Sequence, residues 1–146
     1  MKFSSLFLIA FVALSVNSMQ LLQADVGVVP ITVDLCPEST GANLTNFQGT
    51  LNAIPKKATP LDLTITGTAI ADITLTKVTL TASSMGVQLY TNDIPFDQTV
   101  SAGNDMNWKY SYPIPSFFPD GSYVIALSFK NGDDLVECGQ TTVDFN

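Results

Sequence analysis

Leu61, Leu63 and Ile65 alternate with Asp62, Thr64 and Thr66, a period of two that puts one face of a strand in a core and the other in water. A second apolar run, Ile73 to Ala82, keeps Ile73 and Leu75 on one parity and Val78 and Leu80 on the other, which predicts a bulge near Thr76-Lys77. Ser83 to Gly86 is turn-like, and Val87 and Leu89 resume the alternation, so a hairpin is predicted there. Upstream, Val26 to Leu35 is β-branched and carries Pro30, the pattern of an edge strand, and Asn46 to Ile54 reads as a short strand ended by Pro55. From Thr91 to Asn107 the pattern dissolves into Asn, Asp, Gln, Gly and Pro, and a long loop is predicted. Trp108, Tyr110 and Tyr112 then alternate with Lys109 and Ser111, so the next strand presents its aromatic rings to one side.

Beyond Asp120-Gly121 both parities are apolar, Tyr123, Ile125 and Leu127 on one and Val124 and Ala126 on the other. That strand reads as central, with its inward face left open. Asn131-Gly132 is a strong short hairpin signal, and Leu135 to Phe145 follows as the last strand, holding Cys138. Roughly six to eight short strands with regular turns predict an all-β fold, an antiparallel β-sandwich.

Between the aromatic strand and the central one runs Pro113-Ile114-Pro115-Ser116-Phe117-Phe118-Pro119. Its prolines lack backbone donors and restrict the residues before them, so the segment cannot continue a ladder and must lie at an edge or rim. Two phenylalanines presented at a rim either cap a core or line an opening into it.

Composition narrows the picture. Met1-Lys2 followed by the apolar stretch Leu6 to Val16 has the form of a secretory signal, expected to span residues 1–18 with cleavage as late as residue 24. A single domain, residues 19–146, remains. In a secreted or endosomal/lysosomal lumenal setting, oxidising conditions favour pairing Cys36 with Cys138, near the two ends of that domain, over two buried free thiols. Asn43-Leu44-Thr45 is a glycosylation acceptor pattern suited to a surface loop. Six lysines, no arginine and 13 acidic residues give a formal charge of −7, so no basic stripe exists to bind nucleic acid. Lys56-Lys57 reads as a solvated turn.

There is no histidine anywhere, which removes Ser-His-Asp and Cys-His catalysis and the commonest metal ligand. Asp133-Asp134 and the spaced Asp93 and Asp97 read as solvated carboxylates rather than an acid-base pair or a calcium site. The chain is therefore expected to be a non-enzyme, with no cofactor and no metal.

The segment Lys77-Val78-Thr79-Leu80-Thr81-Ala82-Ser83-Ser84-Met85-Gly86-Val87-Gln88-Leu89, then Tyr110-Ser111-Tyr112, the corner ending Phe118-Pro119, and Asn131 to Cys138 resemble the ML lipid-recognition family, which includes the Niemann-Pick type C lysosomal sterol carrier and fungal phosphatidylglycerol/phosphatidylinositol transfer proteins. The resemblance spans most of the chain and rests on order and spacing. It implies an immunoglobulin-like sandwich whose sheets splay to hold a lipid, and it supports the Cys36 to Cys138 bridge. The extra internal cysteine pairs common in that family are missing here, which leaves the segment Thr91 to Asn107 unpinned.

Carried onto this chain, the resemblance places Phe118 before Pro119 at a pocket entrance, with Ile114-Pro115 beside it and Ile94 and Phe96 on an apolar mouth loop. The full lipid-lining set expected is Ile65, Leu80 and Leu89 from the strands before the mouth and Ile94 and Phe96 at it. Trp108, Tyr110 and Tyr112 follow, then Ile114, Pro115, Phe117 and Phe118 in the corner, and Tyr123 and Ile125 beyond. The function so implied is binding and intermembrane transfer of a sterol or phospholipid by a monomer that touches membranes transiently. The alternative is a secreted, disulfide-clasped sandwich that acts as a protein-interaction or recognition module.

Overall fold

The computed structural model describes residues 28–145. The signal-like start and its cleavage point lie outside them. The described residues form nine strands in two antiparallel sheets: β1 (Val29–Ile31), β2 (Asp34–Leu35), β3 (Leu44–Leu51), β4 (Pro60–Ala69), β5 (Ile73–Ser84), β6 (Val87–Val100), β7 (Asp105–Pro113), β8 (Gly121–Asn131) and β9 (Asp134–Phe145). One sheet has the order β1-β3-β4-β7 and the other β2-β9-β8-β5-β6. The predicted β-sandwich is what forms.

The described part of the predicted edge segment, residues 28–35, is an edge twice over, because β1 pairs with β3 in one sheet and β2 with β9 in the other. The chain crosses between the sheets at Thr32-Val33. This crossing closes one side of the sandwich, and glycines make room for it. A Cβ on Gly49 would come within 2.6 Å of Ile31 Cγ1, and one on Gly139 within 2.8 Å of Val33 Cγ1. Val33 is β-branched and has little freedom to turn away. Gly139→Ala is accordingly expected to cost about 1–3 kcal/mol by overpacking, read from the denaturant midpoint. An unchanged midpoint would show that the crossing yields.

The disulfide joins Cys36 to Cys138 across 102 residues, just beyond the crossing, and the Cys36 amide donates to the Cys138 carbonyl at 3.0 Å. Asn43 lies in the bend just before β3 and is half-buried there. Its Nδ2, the atom a glycan would occupy, donates to the Val136 carbonyl at 2.7 Å. Beside it Glu137 is buried, its carboxylate accepting from the backbone amides of Cys138 and Asn43. These bonds tie β3 to β9 near the disulfide.

The parity change in β5 is real: Ile73, Leu75, Val78, Leu80 and Ala82 are all buried, and the register with β6 shifts between Leu75 and Lys77. β8 lies between β9 and β5, central as predicted, with Tyr123, Leu127 and Phe129 buried and Val124 exposed. Both hairpin signals hold. Met85 and Gly86 take φ of 52° and 77° in the β5–β6 turn, and Gly132, at 61°, opens the two-residue β8–β9 turn.

The long loop expected over Thr91 to Asn107 is not there. β6 runs through Val100, and only residues 101–104 separate it from β7. β6 is an edge strand, so its outward positions, Thr91, Asp93, Pro95, Asp97 and Thr99, are exposed and polar or proline, while Asn92, Ile94, Phe96 and Gln98 are half-buried. An edge needs no continuous apolar run. The polar composition that resembles a loop is that of a solvated edge.

Candidate functional site

The space between the sheets is filled unevenly from end to end. Toward the end that carries residues 70–72 and 101–104, Trp108 and Phe129 are 2% and 0% exposed and meet edge to face at 6.1 Å, with Ile65, Leu75, Val78 and Met106 buried around them. That half is solid. Toward the other end, where the β3–β4 loop, the β5–β6 turn and the proline corner gather, a cavity of about 70 Å3 remains between the sheets. Leu61, Leu63, Leu80 and Ala82 form part of its walls, and Tyr90, Tyr110 and Tyr112 line the side where β6 faces β7. Phe118, Ile125, Val143 and Phe145 line the corner end, and Ile31, Leu51 and Thr141 complete the lining. No charged side chain is among these residues.

The local sequence explains how each wall is placed. Alternation in β4 turns Leu61 and Leu63 inward, and β7 does the same for Tyr110 and Tyr112, which pair with Leu63 and Leu61 across the ladder. Trp108 stacks on Tyr110 at 5.6 Å and so separates the solid half from the hollow one. The corner folds back through a turn in which the Phe118 amide donates to the Pro115 carbonyl at 3.2 Å. Phe118 thereby meets Tyr123 at 4.9 Å and Phe145 at 5.1 Å between ring centres, and Tyr123 donates its hydroxyl to the Pro119 carbonyl at 3.1 Å. With buried Ile114 these rings cap the end of the sandwich. The β3–β4 loop is tied to the same cap by Ala58, whose amide donates to the Ile114 carbonyl at 3.0 Å, and by the ion pair of Lys57 with Asp120. Lys57 lies in a turn, as expected, and pairs there at the surface with Asp120.

Of the residues expected to line a lipid site, Leu80, Tyr110, Tyr112, Phe118 and Ile125 do line the cavity. Ile65 and Trp108 belong to the solid half, and Ile94 and Phe96 pack against that core from β6, because β6 continues as a strand instead of looping over the mouth. Ile114 and Tyr123 support the cap from behind and Pro115 is half-buried in the turn. Phe117 points away from the cap and is 85% exposed.

Leu89 is the clearest correction. Ala82 pairs with Tyr90 and Ser83 with Gln88, so Leu89 is an extra residue in β6, bulged out and 59% exposed. The bulge hands the inward place to Tyr90, a role the alternation does not mark. The pattern marks Leu61 and Leu63 only as a buried face and does not single out Ile31, Leu51, Ala82, Thr141, Val143 or Phe145 as cavity residues.

Electrostatically the cavity is neutral. Burial, then the neighbouring Tyr90 and Tyr110, push the Tyr112 hydroxyl above the ordinary tyrosine range, so it stays protonated into alkaline solution. The charged chemistry lies on the outer face of the five-stranded sheet, at Lys77. Its ammonium donates to Asp133 at 3.1 Å and to Asp93 at 3.2 Å, and these two bonds raise it. Asp93 also accepts from Thr79 at 2.6 Å, and that bond, with Lys77, holds its carboxyl below the ordinary range. What Asp93 contributes is present above its unfolded value and is lost as pH falls through the lowered one.

The arrangement defines a β-sandwich with a wholly uncharged cavity between its sheets. It resembles a Niemann-Pick type C2 protein from the Japanese carpenter ant, with a TM-score of 0.53 and 13% identity over 75% of this chain and 98% of that one. It also resembles the C-terminal domain of wzt, with a TM-score of 0.54 and 15% identity over 77% and 80% of the two chains. Both likenesses are of fold. No family model matches the chain, and no curated protein matches its sequence.

Proposed function

We propose that this protein is a non-enzymatic lipid carrier that holds a sterol or phospholipid between its two sheets and passes it between membranes in the secretory lumen or outside the cell. The observation that carries the reading is the uncharged, aromatic-lined cavity in the half of the sandwich that Trp108 and Phe129 leave unfilled. Desolvation supplies the affinity, at about 25 cal/mol per Å2 of apolar lipid surface buried, opposed by the similar preference of that surface for a bilayer. Transfer is then an exchange between comparable wells. The cavity has a volume of about 70 Å3. Sites for molecules of lipid size are roughly 300–1,000 Å3, so loading requires the sheets to part. The disulfide and the Niemann-Pick type C2-like fold both agree with a lumenal carrier.

Protein purified from its native host is expected to release stoichiometric lipid into organic solvent, identified by mass spectrometry. The stripped protein should then take up sterol or phospholipid from vesicles. Repeated absence of lipid together with no uptake would leave a solid interaction module as the reading.

A further inference from the structure

We propose that lipid reaches the cavity sideways, between the free edges of β6 and β7, and that Tyr90 and Tyr112 form the gate. This rests on the carrier reading above. Three routes lead toward the cavity. The first is the end of the sandwich, and it is capped: Phe118, Tyr123 and Phe145 contact one another in all three pairings, at 4.9, 5.1 and 5.5 Å between ring centres. Tyr123 further anchors the cap through the Pro119 carbonyl. Loading there would disrupt a cluster of rings.

The second route is the side where β1 and β2 lie. There the chain itself passes from one sheet to the other at Thr32-Val33, Val33 sits close against both Gly49 and Gly139, and the disulfide follows within three residues. That side cannot part without breaking covalent structure or unpacking the crossing.

The third side is built differently. β7 ends one sheet and β6 ends the other, with no ladder between them. At the level of the cavity Tyr90 of β6 meets Tyr112 of β7, edge to face at 6.0 Å and 62°. Both rings line the cavity, and Tyr90 is also 36% exposed, so the pair stands between cavity and solvent. The bulge at Leu89 interrupts the β5–β6 register next to Tyr90 and loosens the strand end that carries it. A fixed side opposite a loosely held one makes the sandwich open at β6 and β7, with the crossing as its hinge.

A gate has a kinetic signature. Removing a contact that must break on opening raises the rates of uptake and release together, so affinity falls much less than either rate rises. Stopped-flow mixing of delipidated protein with cis-parinaric acid, a fluorescent single-chain lipid, reads both rates. Tyr90→Ala and Tyr112→Ala are each expected to raise uptake and release by about 2- to 10-fold, the factor that one lost edge-to-face contact gives in a barrier. If Tyr112→Ala does not fold, Tyr90→Ala carries the test, since its ring is partly in solvent already. Unchanged uptake in a folded Tyr90→Ala, or a larger acceleration in Phe118→Ala, would overturn the gate and leave the carrier standing. A wild-type protein that takes up no lipid at all would overturn both.

Discussion

Phe129→Ala is expected to lower the unfolding free energy by about 3–5 kcal/mol, the cost of emptying a ring-sized space that neighbours cannot fill. Phe129 is 0% exposed and sits edge to face against Trp108, in the more tightly filled half of the space between the sheets. Phe118→Ala should behave otherwise. That ring is half-buried in the cap, with the cavity on one side, so truncation should cost on the order of 1 kcal/mol of stability. It should also weaken lipid binding by roughly 5- to 150-fold, the equivalent of 1–3 kcal/mol of lost contact. Denaturant unfolding of stripped protein and lipid titration of the same preparations separate the two effects. A Phe118→Ala protein as unstable as Phe129→Ala, whose folded fraction binds lipid normally, would mean that the hollow half does not hold the ligand.

The second large effect is expected at the disulfide. Replacing both partners, Cys36→Ser with Cys138→Ser, frees a span of 102 residues in the unfolded chain. The chain-entropy account of such a loop gives roughly 4–5 kcal/mol. The midpoint of denaturation should fall accordingly, with the slope changed little unless the unfolded chain expands. A loss below about 1 kcal/mol would show that Val33, held between Gly49 and Gly139, fastens the sheets without covalent help.

Much of the fold was legible because local pattern and global position agreed. The parity switch after Leu75 announced the irregularity in β5, Pro30 announced an edge, and the two turns announced their hairpins. β6 was misread because its inward positions from Asn92 to Gln98 are only half-covered and its outward ones are polar, so the alternation is faint. Pro95 reinforced the error, although on an edge its missing donor costs nothing. Leu89 shows a subtler limit: one inserted residue inverts the facing of its neighbours, and nothing in Val87-Gln88-Leu89-Tyr90 marks which residue is the extra one.

The site was half legible for a related reason. Trp108, Tyr110 and Tyr112 share one parity, so the pattern along β7 assigns them one role. Their roles differ because they stand at different heights. Trp108 shares its level with Phe129, and together they exhaust the space, whereas Tyr112 lies across from Leu61 and Tyr90, which do not. Height is set by register across both sheets, a quantity that no single strand contains. Phe145 belongs to the same case, since it comes opposite Gly121 only after the register of β8 and β9 shifts between Phe129 and Lys130.

Hydrostatic pressure gives the uneven filling of this sandwich a direction. Compression favours states that eliminate internal void, and an apolar void lies between the capped end and the Trp108–Tyr110 stack. Squeezing the molecule would therefore not soften it uniformly. The levels of Tyr112, Phe118 and Val143 would respond at pressures that leave Trp108 and Phe129 undisturbed, so that the sandwich behaves as a compressible chamber fixed to a stiffer base.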